Sequence, residues 1–287
     1  CHLGYNNREI SEFYMVFGGI PYYMTLMDKE LSVVQNIDRL IFSSQGELRN
    51  EKENLFRSLF RHSADYVAII DAISKKGKGL TRTEILEETK LNNNALFGKR
   101  LEELEKCNFI RKYKDYSGRQ RQTVFQLIDP LCHFWNAVVS KNETKDECFW
   151  THTQLSPLFN TWCGFAFEML CLSHVQQLKQ ILGISGIQTN VYSWRTTGQE
   201  TPGAQIDLLI DRADRCVNLC EMKFSRGEYE ITKTEREKIE NRATRFMQYA
   251  EPRKSIRLTM ITSFGLKPNT HSSIIQSQIT LNDLFRA

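Results

Sequence analysis

The sequence predicts a multidomain chain of mixed helix and sheet, in which two largely helical segments precede an α/β domain built on a mixed sheet. Three observations carry this. Apolar residues recur at helical spacing through the first 57 residues. Three short helical patterns and a β-hairpin follow between 58 and 130. From 158 onward an amphipathic helix leads into strands that alternate about a short polar loop. At 287 residues the chain is long for a single core, so two or three domains are expected. Hydrophobic residues make up 41% and charged residues 25%, the balance of a globular chain and not of a disordered one.

The first segment, 1–57, reads as helices. Ser11 to Phe17 is apolar-rich and halts at Gly18-Gly19-Ile20-Pro21, a breaker cluster that forces a turn. The pattern resumes at Tyr22 to Met27, and Leu31, Val34, Ile37, Leu40 and Ile41 then return at helical spacing. Gly18-Gly19 is no phosphate loop, because no Lys-Ser or Lys-Thr follows it, and no G-x-x-x-x-G-K-[ST] occurs anywhere in the chain. ATP hydrolysis is therefore not expected of these residues. The chain opens at Cys1, not Met, in mid-pattern, which suggests a piece of a longer protein, with a processed N-terminus as the alternative.

In 58–130, Tyr66, Ile69, Ile70 and Ile73 mark one helix face ending at Lys75-Lys76-Gly77. Thr81 with Glu84 forms a capping box, opening a short helix to Thr89. Asn92 to Asn94 make a turn and a second cap before a helix from about Ala95 to Lys106, with Leu101 and Leu104 inward. Phe109 to Tyr113 and Thr123 to Leu127 then alternate as strands about Ser117-Gly118. Three helices and a hairpin are the order of a winged helix-turn-helix. The hairpin carries Arg111, Lys112, Lys114, Arg119 and Arg121 with Tyr113 and Tyr116 between them, a composition suited to phosphates and sugars. A solvated hairpin in a domain that docks other domains is the plain alternative. Residues 131–157 form a connector: an aromatic helix from Leu131 to Val139 and a polar loop from Lys141 to Glu147.

The last segment, 158–287, holds the candidate site. A helix from about Leu158 to Leu182 places Phe165, Met169, Leu172 and Val175 on one stripe, and Glu168 falls on that stripe. A glutamate on a buried face is usually paired or bound to a cation. A hairpin follows, from Gly203 to Asp211 and from Cys216 to Lys223, with the loop Arg212 to Arg215. Pairing about that loop brings Asp207 close to Glu221, and the two-residue period puts Lys223 on the face of Glu221. Two neighbouring carboxylates stay ionised together most readily around a divalent cation. Asp207 and Glu221, with Glu168 directly or through water, are the expected ligands of Mg²⁺ or Mn²⁺. Lys223 is expected beside the metal-bound water, where it would orient the nucleophile or stabilise the transition state of phosphodiester hydrolysis. The plain alternative is a surface salt bridge between Glu221 and Lys223. A charged helix from Lys233 to Tyr249, including Arg242, Arg245 and Gln248, reads mainly as a solvated face, with Gln248 or Lys233 lining the site as the alternative.

These residues carry a resemblance. The chain resembles the C-terminal two-thirds of archaeal-type ATPases of the AAA/STAND group. In these, an ATP-binding domain is followed by a helical lid, a winged helix and a nuclease-like domain of the PD-(D/E)xK, or restriction-endonuclease-like, type known as DUF234. Phe17-Gly-Gly-Ile-Pro-Tyr-Tyr23 resembles the lid signature, and Leu127-Ile-Asp-Pro-Leu-Cys-His-Phe-Trp135 the junction after the winged helix. Gly164 to Glu168 resembles the helix motif, and Ile206-Asp207 with Glu221-Met-Lys223 the catalytic hairpin, with Ile206 where the motif's name has Pro. The resemblance implies a helical lid remnant over 1–57, ATP held only in a domain upstream of Cys1, and DNA and that ATPase domain as partners, with an oligomer left open. Its alternative is a nuclease fold without catalysis, kept as a regulatory, DNA-binding or protein-interaction module.

The net charge of +4 permits an acidic partner without demanding one. No run is long and apolar enough for a membrane span, and no signal peptide is seen. The eight cysteines are scattered without a C-x-x-C pair, which points to reduced thiols in the cytosol and away from zinc.

Overall fold

The computed structural model describes residues 4–77, 79–114, 116, 123–196, 204–250 and 253–286. It is a mixed α and β chain with a three-stranded and a five-stranded sheet. The described residues divide into two units, one of 1–112 with 125–170, the other of 113–124 with 171–287.

The first unit opens with helices α1 (Asn7–Phe17), α2 (Pro21–Thr25) and α3 (Val33–Ile37). Asn6 begins α1 through a capping box with Glu9, and Gly18 ends it at φ 68°, a conformation that costs glycine least. Pro21 starts α2 where its missing N–H is no loss. Past α3 the chain makes one π-helical turn, Asp38–Phe42, so the helical pattern through Leu40 and Ile41 holds but not as one α-helix. Helices α4 (Glu51–Leu59) and α5 (Ser63–Ser74) follow.

Next come β1 (Leu80–Thr81), α6 (Arg82–Thr89), α7 (Ala95–Lys106), β2 (Ile110–Lys114) and β3 (Thr123–Leu127), with β3 between the other two strands. The Thr81–Glu84 capping box is present, and Asn94 caps α7 through the amide of Phe97. Ile69, Ile70, Ile73, Phe97, Leu101, Leu104, Phe109 and Leu127 share one core with Phe56. Helix α8 (Pro130–Ala137) is capped by Asp129 and packs on α1 and α5. Helix α9 (Phe149–Thr153) starts on the carboxylate of Asp38, which accepts from the amides of Trp150 at 2.8 Å and Thr151 at 3.0 Å. Those acceptors satisfy amides that have no partner within so short a helix.

Helix α10 (Pro157–Ser173) ends at His174, and α11 (Val175–Ile181) begins anew. The single helix expected to Leu182 is therefore two. Its buried face also differs from the expected stripe: Trp162, Phe167, Met169 and Leu172 are buried, whereas Phe165 is 38% exposed and Val175 lies past the break.

The second unit is built on β4 (Thr189–Thr196), β5 (Ala204–Arg212), β6 (Cys216–Lys223), helix α12 (Lys233–Ala250), β7 (Ser255–Thr262) and β8 (Ser277–Thr280). The strands lie in the order β4-β5-β6-β7-β8. Pairs β4–β5 and β5–β6 are antiparallel, β6–β7 and β7–β8 parallel. Leu208, Leu209 and Ile210 on β5, and Val217 to Cys220 on β6, are buried on both faces, as inner strands require. Ile239, Ala243 and Phe246 are the buried residues of α12, and Ala243 and Phe246 pack with Leu209, Val217, Leu219 and Trp194 on one face of the sheet. Among the described residues no helix is long and apolar enough to cross a membrane, and the seven described cysteines are free.

Candidate functional site

The pairing of β5 with β6 ends one step short of residues 207 and 221. The last registered pair of β5 and β6 is Leu208 with Cys220, and one step further along both strands stand Asp207 and Glu221. Both side chains are half-buried; Glu221 and Lys223 share the β6 face of Val217 and Leu219, which α12 covers, whereas β5 is irregular at 207–208, where Tyr192 pairs with Leu209 and Trp194 with Ile206.

Glu221 is held at both oxygens. Lys223 Nζ lies 2.8 Å from Oε1. The guanidinium of Arg242 on α12 donates to Oε2. The Glu221 side chain is 19% exposed and that of Arg242 29%, so the pair sits where water screens it only in part. Asp207 Oδ1 accepts from the side-chain amide of Gln205. Nearby, Tyr229 donates to Glu235. Burial raises the Tyr229 phenol, helped by the charges of Glu235 and Glu221, so it stays protonated at neutral pH.

Arg242 was not picked out by sequence reasoning, which placed its helix in solvent. The signal was there: Arg242 directly precedes Ala243 on the buried stripe Ile239–Ala243–Phe246, at the flank from which a long side chain reaches the sheet. Gln248, a residue of the same helix, is exposed, as is Lys233. Strand β4, with the buried Trp194, was also missed, although Val191, Ser193 and Arg195 alternate with Tyr192, Trp194 and Thr196.

Glu168 belongs to the first unit, whereas Asp207, Glu221 and Lys223 belong to the second. Within its own unit Glu168 is half-buried and lines a cavity of about 20 Å³ with Lys76, Gln126, His133 and Phe165. That volume holds about one water molecule. Among the described residues no three His, Cys, Asp or Glu side chains gather closely enough to hold a metal ion. Asp207 and Glu221 are hard-oxygen groups of the kind a divalent cation takes, and both oxygens of Glu221 are paired with Lys223 and Arg242.

On the hairpin, Arg111 Nε donates to Gln126 at 2.9 Å and Lys112 pairs with Glu105 at 3.2 Å. Arg119, Arg121 and the Ser117-Gly118 turn lie outside the described residues, as does the side chain of Lys114. Tyr116 falls in the second unit, where its amide donates to Ser193 and its ring packs on Tyr192 and Phe246. Helix α7 presents Glu102 and Glu105 beside Lys99 and Lys106, a face of mixed sign.

No family model matches the chain, and no curated protein and no solved structure matches it.

Proposed function

We propose that the second unit is a nuclease-like module of the PD-(D/E)xK type that hydrolyses phosphodiester bonds of DNA with Mg²⁺ or Mn²⁺. We infer further that the chain is the C-terminal part of an AAA-type ATPase of the group it resembles. The single observation that carries the first reading is the E-x-K of β6, with Glu221 and Lys223 paired on one face of an inner strand. The mixed sheet with α12 on that face supports it, as the resemblance implies such a sheet.

In this reading Asp207 and Glu221 hold the cation. Bound there, it supplies an activated water and neutralises charge growing on the phosphate. Lys223, held 2.8 Å from Glu221, would orient the attacking water or stabilise charge growing on the phosphate. Gln205 orients Asp207 through its amide. Glu168, expected as a further ligand directly or through water, belongs to the first unit.

The segment from α5 to β3 supports a winged helix by its element order and by the central place of β3. We place DNA contact on the hairpin, whose Arg111 and Lys112 suit phosphate.

A second reading has an observation of its own. Glu221 with both oxygens paired is also what a carboxylate looks like in a fold that keeps its ion pairs and has no catalysis. A plasmid-nicking assay across a metal series separates the two. The nuclease reading expects Mg²⁺- or Mn²⁺-dependent nicking that falls by roughly 10²- to 10³-fold in Glu221→Ala and Lys223→Ala proteins with unchanged circular dichroism. Absence of nicking by wild type in every metal, or equal nicking by the variants, refutes it.

A further inference from the structure

Helix α7 forms one wall of an open groove of about 440 Å³ in the first unit. Leu96, Lys99, Arg100, Glu103 and Lys106 recur there at helical spacing, so one face of the helix lines the groove for about three turns, roughly 15 Å. The end of α4 and its link to α5, Leu59 to His62, complete the groove with Tyr66 of α5. Phe60 and Tyr66 are buried and stack at 4.0 Å between ring centroids. Leu59 and Leu96, by contrast, stand 50% and 48% exposed on the same concavity. Covering two such side chains together removes apolar surface from water. The charges sort into two sets. Arg100 pairs with Asp65, Lys99 lies 3.8 Å from Glu103, and the Tyr66 hydroxyl donates to Glu103. Arg61 and Lys106 have no ion pair among the described residues, so two surplus positive charges stand beside the two exposed leucines.

We propose that this groove docks an acidic amphipathic segment of a protein partner, its apolar side chains seated on Leu59 and Leu96 and its carboxylates against Arg61 and Lys106. Charge complementarity selects an acidic occupant, because both unpaired groups are cations. The apolar surface selects a peptide over nucleic acid. Bases stack on open aromatic faces, whereas Phe60 and Tyr66 are covered, and the Glu103 carboxylate on the same wall repels phosphate. A wall of three helical turns suits a partner helix of similar length, with apolar anchors at i, i+3 or i+4 and i+7. Nothing in this docking depends on Asp207, Glu221 or Lys223.

The test selects binders to the full chain from a displayed library of random peptides, with counter-selection on protein carrying Leu96→Asp and Lys106→Glu together. Enriched sequences should place Asp or Glu beside apolar residues at helical spacing. A fluorescent copy of the most enriched peptide should bind wild type, and its affinity should fall about tenfold or more in Arg61→Glu and in Leu96→Asp proteins of unchanged circular dichroism. Saturating peptide should also slow alkylation of Cys107, an exposed thiol of the groove, in wild type followed by mass spectrometry, a readout for which no variant need fold. The exposed Cys148, which does not line the groove, should react at an unchanged rate. No enrichment, enrichment of basic or uncharged sequences, equal affinity for wild type and variants, or undiminished alkylation of Cys107 overturns the proposal. Binding of a DNA duplex that is lost in Arg61→Glu protein, with no peptide enriched, gives the groove to nucleic acid and overturns it as well.

Discussion

His133 lies on α8 with 8% of its surface exposed, and its Nε2 has no hydrogen-bond partner among the described residues. Burial lowers its pKa to about 4, against about 6.5 for an unfolded chain. Between those values the unfolded state takes up a proton that the folded state refuses. Stability is therefore lost as pH falls through that window, by up to about 3 kcal/mol. Asp38 and Asp129 act in the other direction. Burial raises both, so their folded forms bind protons more readily than the unfolded chain and gain stability as pH falls. Comparing wild type with His133→Phe isolates the histidine. The variant should lose less stability between pH 6.5 and pH 4.5, read from urea midpoints; parallel losses in the two proteins would acquit His133. At the candidate site, the residue scale shows the limit of pattern reading. E-x-K on a strand was visible, because it follows from the two-residue period; the irregularity of β5 at 207–208 was not. The hold of Arg242 on Glu221 was not, because it joins residues 21 apart through the packing of a helix on a sheet.

Elements here are decided largely by their ends. Thr81 accepts from the Glu84 amide and Glu84 from the Thr81 amide, so two orphan amides of α6 are satisfied at once. Thr81→Ala should destabilise by about 1 kcal/mol, measured by chemical denaturation. Gly46 follows the π turn and sits against the backbone, where an added Cβ would lie 2.6 Å from the carbonyl oxygen of Leu40. Backbone cannot swing aside as a side chain can, so Gly46→Ala should cost about 1–3 kcal/mol. A melting temperature equal to that of wild type would show that the turn yields. Capping residues and breakers were legible because each acts on amides within four residues of itself. The break at His174 was not, since no proline or glycine marks it.

For the whole molecule, charge distribution matters more than its net value of +4. Basic residues of the hairpin are partly engaged at home, Arg111 with Gln126 and Lys112 with Glu105, and the exposed pair of Lys112 contributes little to stability. If the hairpin contacts DNA, Lys112→Ala should lower the salt slope of binding by about one without altering its sequence preference. Fluorescence anisotropy at several salt concentrations gives that slope, and an unchanged one would take Lys112 off the interface.

The sequence by itself determined much of the elements: most helices of the first unit, the caps at Thr81 and Asn94, the hairpin strands, and the shared face of Glu221 and Lys223. Each of these depends on residues a few positions apart, and helical or strand period carries that information directly. Tertiary structure alone decided what those elements meet. It assigned α10 and Glu168 up to residue 170 to the first unit, drew the acids of α7 to the surface, and brought Arg242 to Glu221. Such pairings rest on which faces bury the most apolar surface together, a choice made by the folded chain and not written in any local pattern.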